Sequence, residues 1–220
     1  MANKREDLWL IALVVAACGL MIYVENVIQP VYVVKSCIKV FLFLGSIVAY
    51  CILFKQKIAV FHAKGKALLQ IIIIAISVYI LILICFFLLR DFMDLNQIRD
   101  SLMGKEGINQ SNFIFVAVYI SLINSFIEEL FFRGFAFKHL KALGFQHFSH
   151  VFSAAAFSLY HIGIISGWFS LPMFVFIILA LFAAGLILNL LCQYADSVLG
   201  SWVIHVSANL AINTIGFMIL

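Results

Sequence analysis

Seven long apolar runs constrain this chain more than any other feature of its sequence. A helix needs about 20 apolar residues to cross the hydrocarbon core of a bilayer. The runs lie at about 8–28, 33–54, 67–89, 113–132, 149–166, 170–191 and 197–219. They lack the polar and apolar alternation of membrane barrel strands, and open backbone is too costly in lipid. The sequence therefore predicts an all-α, polytopic transmembrane helical bundle of about seven spans, within a range of six to eight.

Composition supports this fold class and excludes a water-soluble one. Hydrophobic residues make up 65% of the chain and charged residues 11%, whereas soluble domains average about 45–50% and 25%. No linker rich in Gly and Ser divides the 220 residues, so we expect one membrane module. Within it, residues 1–112 hold three spans and a polar loop, and residues 113–220 form a helical core that carries the chemistry.

Charged residues between the runs predict the orientation of the chain. By the positive-inside rule, basic clusters after the second and fourth runs place those loops in the cytoplasm. The basic residues are Lys55, Lys57, Lys64, Lys66, Arg133, Lys138 and Lys141. The polar stretch 91–112 mixes both signs, suits the outer side and has room for an interfacial helix. We therefore expect a retained first span, a cytoplasmic N-terminus, an external C-terminus and no nucleic-acid partner.

The fourth run contains charged residues that an apolar helix tolerates poorly. It includes Glu128, Glu129 and Arg133, and a carboxylate at mid-helix costs ~2.5–3.5 kcal/mol on insertion scales. Glu129 and Arg133 are four residues apart on one helix face, so they can form an ion pair. Glu128 lies about 100° around the helix and is available for another role. A plainer interpretation makes Glu128 an interfacial residue at the cytoplasmic end of the span.

Two later runs carry polar residues of their own. His161 follows apolar residues in the fifth run, and His205, Asn209 and Asn213 are spaced by four in the last run. Such residues also serve as interhelical hydrogen-bonding groups worth ~0.6 kcal/mol on average, and we assign Asn213 that role. A bundle interior is the only place where the polar faces of three spans can avoid lipid. We therefore expect these faces to surround one hydrated cavity suited to water activation.

In order and content, three segments resemble the motifs of the CAAX prenyl protease and bacteriocin-processing (Abi) family of membrane peptidases. The family motifs are EExxxR, FxxxH and HxxxN. This sequence has Glu128-Glu129-Leu-Phe-Phe-Arg133, Phe157-Ser-Leu-Tyr-His161 and His205-Val-Ser-Ala-Asn209. The resemblance covers about residues 113–220, and the first three spans are similar only in being hydrophobic.

The resemblance implies a role for each motif residue. Glu128 would be the base that activates the attacking water, and His161 would share the proton transfer. His205 and Asn209 would hold the water and the developing oxyanion. The residues that would fix the motif helix are Glu129 and Arg133. Counted from the cytoplasmic side, His161 is predicted to lie deeper than Glu128.

Two interpretations of the site differ in whether it holds a metal. The sequence has no HExxH motif, but Glu128, His161 and His205 would be enough for the three ligands of a catalytic zinc. A site without metal explains Asn209 better, because a carboxamide is a good oxyanion donor and a poor zinc ligand. We therefore expect no cofactor, with zinc as the alternative.

The leading hypothesis is an intramembrane endopeptidase that cleaves a membrane-associated or hydrophobic peptide near the cytoplasmic interface. The alternative is a non-proteolytic bacteriocin self-immunity or regulatory protein that binds a membrane partner, because family members are linked to such roles. A transporter is less favoured, since the sequence shows no inverted repeat. The expected partners are the lipid bilayer and a peptide or membrane-protein substrate, and the sequence specifies no oligomeric state.

Overall fold

Over the part of the chain that the structure describes, the fold is a bundle of seven helices, each long and apolar enough to cross a membrane. The structure is a computed structural model, and it describes residues 5–57 and 68–220. The first to seventh spans run Glu6–Ile28, Tyr32–Phe54, Leu69–Phe92, Phe113–Ala142, Gln146–Ile165, Leu171–Ala195 and Val198–Ile219. They confirm the predicted polytopic helical bundle. Two of the loop lysines used for orientation, Lys64 and Lys66, lie outside the described residues.

The polar stretch between the third and fourth spans contains the short helix that the sequence had room for. This helix runs Leu95–Asp100 and continues as one π-helical turn, Ser101–Lys105. The Asp94 carboxylate caps it by accepting a hydrogen bond from the Gln97 backbone N–H at 3.0 Å. The Gln97 side chain donates to the Gly167 carbonyl at 2.7 Å. The stretch is therefore tied to the loop between the fifth and sixth spans.

The fourth span lies at the centre of the bundle and contacts the first, second, fifth, sixth and seventh spans. It is 30 residues long and ends at Ala142, so the sequence-based end at 132 is wrong. Arg133 looks like a membrane boundary in the sequence, but its side chain is 0% exposed. Because this charge is paired inside the bundle, it does not end the span.

Two stretches of the fourth span are π-helical, Tyr119–Asn124 and Leu130–His139. π-Helical turns change the backbone hydrogen-bonding pattern and often occur at functional sites. Side chains of the seventh span bond to backbone carbonyls in and near the first of these stretches. These bonds join Trp202 to Leu122 at 3.2 Å, Asn209 to Ile120 at 3.1 Å and Asn213 to Ala117 at 3.1 Å. The polar face of the seventh span therefore fixes the irregular part of the fourth.

An aromatic cluster joins the second, fourth and fifth spans. The Phe43 ring stacks on the Phe131 ring with centroids 4.1 Å apart and meets the Tyr160 ring edge-on at 5.4 Å. All three side chains are fully buried. Phe43 lies one helical turn after Lys39. The packing of Phe43 therefore fixes the position of Lys39 relative to the fourth span.

A glycine allows the fifth and sixth spans to approach closely. A Cβ added to Gly185 would lie 2.9 Å from the Ala154 Cα, which leaves no room for it. We expect Gly185→Ala to lower the free energy of unfolding by about 1–3 kcal/mol because the backbones must separate. Gly45, mid-helix in the second span, has nothing within 4 Å of such a Cβ. Gly45→Ala should leave the free energy of unfolding unchanged or raise it. The measurement is unfolding in detergent micelles, and equal free energies for Gly185→Ala and Gly45→Ala would contradict the close packing at Gly185.

Candidate active site

Glu128 lies inside the bundle, where its side chain is 2% exposed. Its Oε1 accepts hydrogen bonds from Asn124 Nδ2 at 3.0 Å and from the Tyr160 hydroxyl at 3.2 Å. The Lys39 ammonium donates to the same oxygen at 3.3 Å. Donors from the second, fourth and fifth spans therefore converge on one oxygen of this carboxylate.

The other oxygen of Glu128 has a different environment. Its Oε2 faces His205 Nε2 at 3.8 Å, which is too long for a direct hydrogen bond. Because Oε1 is occupied by three donors, Oε2 is the oxygen whose lone pairs are open to a proton. The two carboxylate oxygens thus differ: Oε1 accepts from three donors, and Oε2 faces an imidazole nitrogen.

Glu129 forms the second buried cluster, on a different face of the same helix. The Arg133 guanidinium lies 3.1 Å from Glu129 Oε1, which confirms the predicted ion pair four residues apart. This contact is electrostatic, since the angle at the guanidinium does not meet hydrogen-bond geometry. The Arg133 Cζ also lies 4.3 Å from the centre of the Phe157 ring. The first aromatic residue of the FxxxH segment therefore covers the arginine of the EExxxR segment.

His205 connects the two carboxylates. Its Nδ1–H donates to Glu129 Oε1 at 2.9 Å, and its other nitrogen faces Glu128. A carboxylate can only accept, so this bond assigns a proton to Nδ1 and leaves Nε2 as the acceptor in the neutral ring. The Glu129 contact therefore orients His205 toward Glu128.

His161 lies next to a residue that bonds to Glu128: its ring is 4.9 Å from the Tyr160 ring, and the Tyr160 hydroxyl donates to Glu128 Oε1. Its Nδ1–H donates to the Phe157 carbonyl at 2.6 Å, which leaves Nε2 as the acceptor in the neutral ring. The Phe157 ring contacts both imidazoles, with centroid distances of 4.6 Å to His161 and 5.7 Å to His205. The structure therefore brings together Glu128, His161 and His205, as the three motif segments require.

Asn209 lies farther along the seventh span than the other motif residues. Its Nδ2 donates to the Ile120 carbonyl at 3.1 Å, eight residues before Glu128 (120 to 128). One of its two amide hydrogens is thus used to hold the fourth span. Asn213 bonds to the Ala117 carbonyl and to Ser121 Oγ, which confirms its predicted interhelical role.

Two contacts join the end of the fourth span to the first turns of the fifth and seventh spans, so these helix ends lie at the same level of the bundle. The Lys138 ammonium lies 3.3 Å from the Asp196 carboxylate, next to the start of the seventh span. The Phe137 and His150 rings pack with centroids 4.5 Å apart. Charged side chains of this kind mark the interfacial region of a membrane. This level is therefore a reference from which depth can be counted.

The three site residues lie at similar distances along the chain from that level. Glu128 is 10 residues from Lys138 (128 to 138), His161 is 11 from His150 (150 to 161) and His205 is 9 from Asp196 (196 to 205). These counts do not give equal depths, because Leu130–His139 is π-helical and rises less per residue than the α-helices of the fifth and seventh spans. That His161 lies deeper than Glu128 therefore stays a prediction.

Three contributors to the site were missed in the sequence: Lys39, Asn124 and Tyr160. Lys39 had the clearest signal, since a lysine within an apolar run is as unusual as Glu128 and needs a partner. Asn124 lies four residues before Glu128, and Tyr160 lies directly before His161. Their roles depend on how the spans pack, which spacing alone does not specify.

A separate buried ion cluster lies one helical turn from Lys39. The Lys35 ammonium lies 2.7 Å from the Glu25 carboxylate and 2.5 Å from the Glu106 carboxylate. All three side chains are buried. The cluster joins the end of the first span, the start of the second and the polar stretch before the fourth. It is a structural tie outside the group around Glu128.

A groove of about 510 Å³ lies between the second and fourth spans, on the outer surface of the bundle. Its walls are mainly apolar and include Val40 and Tyr119. Val40 directly follows Lys39, so one part of the groove lies beside the turn of the second span that carries Lys39. An apolar groove at this position is accessible from the lipid.

Fold and site together define a multi-pass helical membrane protein with carboxylates, imidazoles and cations clustered inside its bundle. Residues 110–211 match the family model described as Type II CAAX prenyl endopeptidase Rce1-like. The match confirms the resemblance of the C-terminal half to this group of CAAX-type intramembrane proteases, whose general activity is that of an endopeptidase. Comparisons with curated proteins and with solved structures gave no significant match.

Proposed function

We propose that this chain is an intramembrane endopeptidase in which Glu128 activates the attacking water. The proposal rests on the different environments of the two oxygens of this carboxylate. Oε1 is held by donors from three spans, while Oε2 faces His205 Nε2 at 3.8 Å. One water molecule at a hydrogen-bond distance of ~2.8 Å can donate to both of these acceptors at once. Its oxygen lone pair then points away from them, toward a substrate carbonyl.

The proposed reaction transfers one proton at a time. Glu128 Oε2 takes a proton from the water, the water oxygen bonds to the peptide carbonyl carbon, and the carbonyl oxygen becomes an oxyanion. The C–N bond then breaks, and the leaving nitrogen takes the proton from the Glu128 carboxyl. His161, with Nε2 as the acceptor, is placed to share this proton transfer. The amide hydrogen that Asn209 does not give to Ile120 is the proposed oxyanion donor.

The side chains present do not fit a zinc site. Within residues 5–57 and 68–220, no three His, Cys, Asp or Glu side chains are grouped as metal ligands. The ammonium of Lys39 lies 3.3 Å from Glu128 Oε1, and a second cation bound to this carboxylate would repel it. We therefore infer a metal-independent reaction and route no step through a metal.

The burial of the charged residues favours catalysis over binding alone. A protein that acted only by contacting a membrane partner would need its specific residues on a lipid-facing surface. Here Glu128, Glu129 and Arg133 are at most 2% exposed. A membrane-anchored peptide can approach along the apolar groove between the second and fourth spans. We therefore propose a hydrophobic or membrane-associated peptide as the substrate.

We also propose that the N-terminus is cytoplasmic and the C-terminus external. The seven candidate spans, an odd number, support opposite sides of a membrane for the two ends of the described chain. Lys55 and Lys57 follow the second span and are exposed, while Lys138 and Lys141 lie at the end of the fourth. The positive-inside rule places both of these ends in the cytoplasm.

The proposal is tested with the purified chain in liposomes and two probes, a prenylated CAAX peptide and an unmodified transmembrane peptide. We expect cleavage of at least one probe, and in H₂¹⁸O the new carboxylate should gain one ¹⁸O. His161→Ala should lower the cleavage rate by about 10²-fold because a proton-transfer group is lost.

His150→Ala is the matched control for this test. His150 is on the same span, bonds to Gln193 at 3.3 Å and is more than ten residues from the site. We expect its cleavage rate to stay within about twofold of wild type. A wild type that cleaves neither probe, or a His161→Ala variant as active as wild type, would contradict the proposed function.

A further inference from the structure

We propose that Lys39, on the second span, is a positioning residue of the site, because it holds Glu128 Oε1 and so directs Oε2 toward His205 and the water. The inference rests on the proposed function and extends it to the N-terminal half of the chain. Lys39 is only 9% exposed, and it lies outside residues 110–211, where the family model matches. It also lies outside the three motif segments.

The contacts of Lys39 form a closed triangle. Its ammonium donates to Asn124 Oδ1 at 2.7 Å and to Glu128 Oε1 at 3.3 Å. Asn124 Nδ2 in turn donates to the same Glu128 oxygen at 3.0 Å. Since the carboxamide of Asn124 is engaged at both ends, its orientation is set, and with it the position of Oε1. Rotation of the Glu128 carboxylate would break two of the three bonds.

The charge of Lys39 matters at each stage of the proposed reaction. Before the reaction, the ammonium balances the carboxylate of Glu128. When Oε2 accepts the water proton, the carboxyl becomes neutral and the negative charge moves to the substrate oxygen. The ammonium stays in place, so the site holds one positive and one negative charge both before and after this step. Since the ammonium is bound to Glu128 Oε1 at 3.3 Å, Lys39 acts on the rate through the position of Glu128, without contact to the substrate.

Lys35 provides a matched comparison on the same helix. It lies one turn before Lys39, is also buried, and pairs with Glu25 at 2.7 Å and Glu106 at 2.5 Å. In the described part of the chain, none of its ion pairs includes Glu128. Loss of the Lys35 charge therefore removes a buried ion pair from the bundle and leaves the triangle intact.

The test measures kcat and KM for the probe peptide that wild type cleaves, together with the thermal unfolding midpoint of each variant. We expect Lys39→Met to lower kcat by about 10- to 100-fold, the range for loss of one charged hydrogen bond, with KM within about twofold. Lys39→Arg keeps the charge and should restore kcat to within about fivefold of wild type. Lys35→Met should lower the midpoint and leave kcat per folded protein within about twofold.

Lys39→Gln covers the case in which Lys39→Met does not fold, because a carboxamide retains a bond to Asn124 without the charge. Its kcat should also fall by at least about tenfold. Wild-type kcat in Lys39→Gln or Lys39→Met, or equal kcat losses at Lys35 and Lys39, would overturn the inference while the proposed function stands. A wild type that cleaves no probe would reject the proposed function, and the inference with it.

Discussion

Replacing Glu128 with Gln is expected to lower kcat by about 10³-fold or more, the largest loss of activity of any single change in the chain. The amide oxygen of Gln can still accept from Asn124, Tyr160 and Lys39 at the position of Oε1. Its nitrogen would take the place of Oε2, and an amide nitrogen does not accept a proton from water. Loss of a general base typically costs 10²- to 10⁴-fold, and this base is proposed to make the nucleophile.

Glu25→Gln is the matched control for that loss. Glu25 is also a buried carboxylate paired with a lysine of the second span, at 2.7 Å from Lys35. Both variants remove one negative charge and weaken one buried ion pair, so both should lower the unfolding midpoint. Only Glu128→Gln should lose activity, measured as initial cleavage rate per folded protein in liposomes. If the two variants lost activity in parallel, Glu128 would be a structural residue and the assignment of the base would fail.

Sequence reasoning predicted the parts of this protein that depend on local pattern. Apolar runs of about 20 residues specify spans whatever their neighbours are, so the seven helices were found. The ion pair of Glu129 and Arg133 follows from helical spacing on one span. The same spacing separated Glu128 from that pair, and the structure shows Glu128 with different partners.

Features that depend on packing between spans were not predicted. The fourth span was ended at 132 because Arg133 resembles a membrane boundary, and only the Glu129 and Phe157 contacts show that the arginine is internal. Lys39 was overlooked because its partner is 89 residues away along the chain. Among the residues that the structure describes, four carboxylates are buried, and local spacing does not decide which lysine meets which one. Pairings of this kind are decided by the rotation and tilt of the helices.

Replacing Arg133 with Met should be the most destabilising single change, at about 3–5 kcal/mol of unfolding free energy, because it leaves a buried carboxylate without its cation. Arg133 and Glu129 are both 0% exposed, and their charges lie 3.1 Å apart. After the change, His205 Nδ1 still donates to Glu129 Oε1. The orientation of His205 toward Glu128 would then depend on a Glu129 carboxylate without a balancing cation, so activity should fall as well. Unfolding in mixed micelles measures the first effect, and cleavage per folded protein measures the second.

Two further variants show whether the buried charge is the cause. Arg99 pairs with Asp100 at 3.9 Å on the surface, with 44% of its side chain exposed, so Arg99→Met should change the unfolding free energy by less than about 0.5 kcal/mol. The double variant Glu129→Gln with Arg133→Met removes both charges and should recover more than half of the loss, since coupled residues are not additive. If Arg133→Met costs no more than Arg99→Met, the pair does not hold the motif helix. If the double variant is as unstable as Arg133→Met, the unbalanced carboxylate would not be the cause. The loss would then come from the missing arginine itself, including its packing on the Phe132 and Phe157 rings.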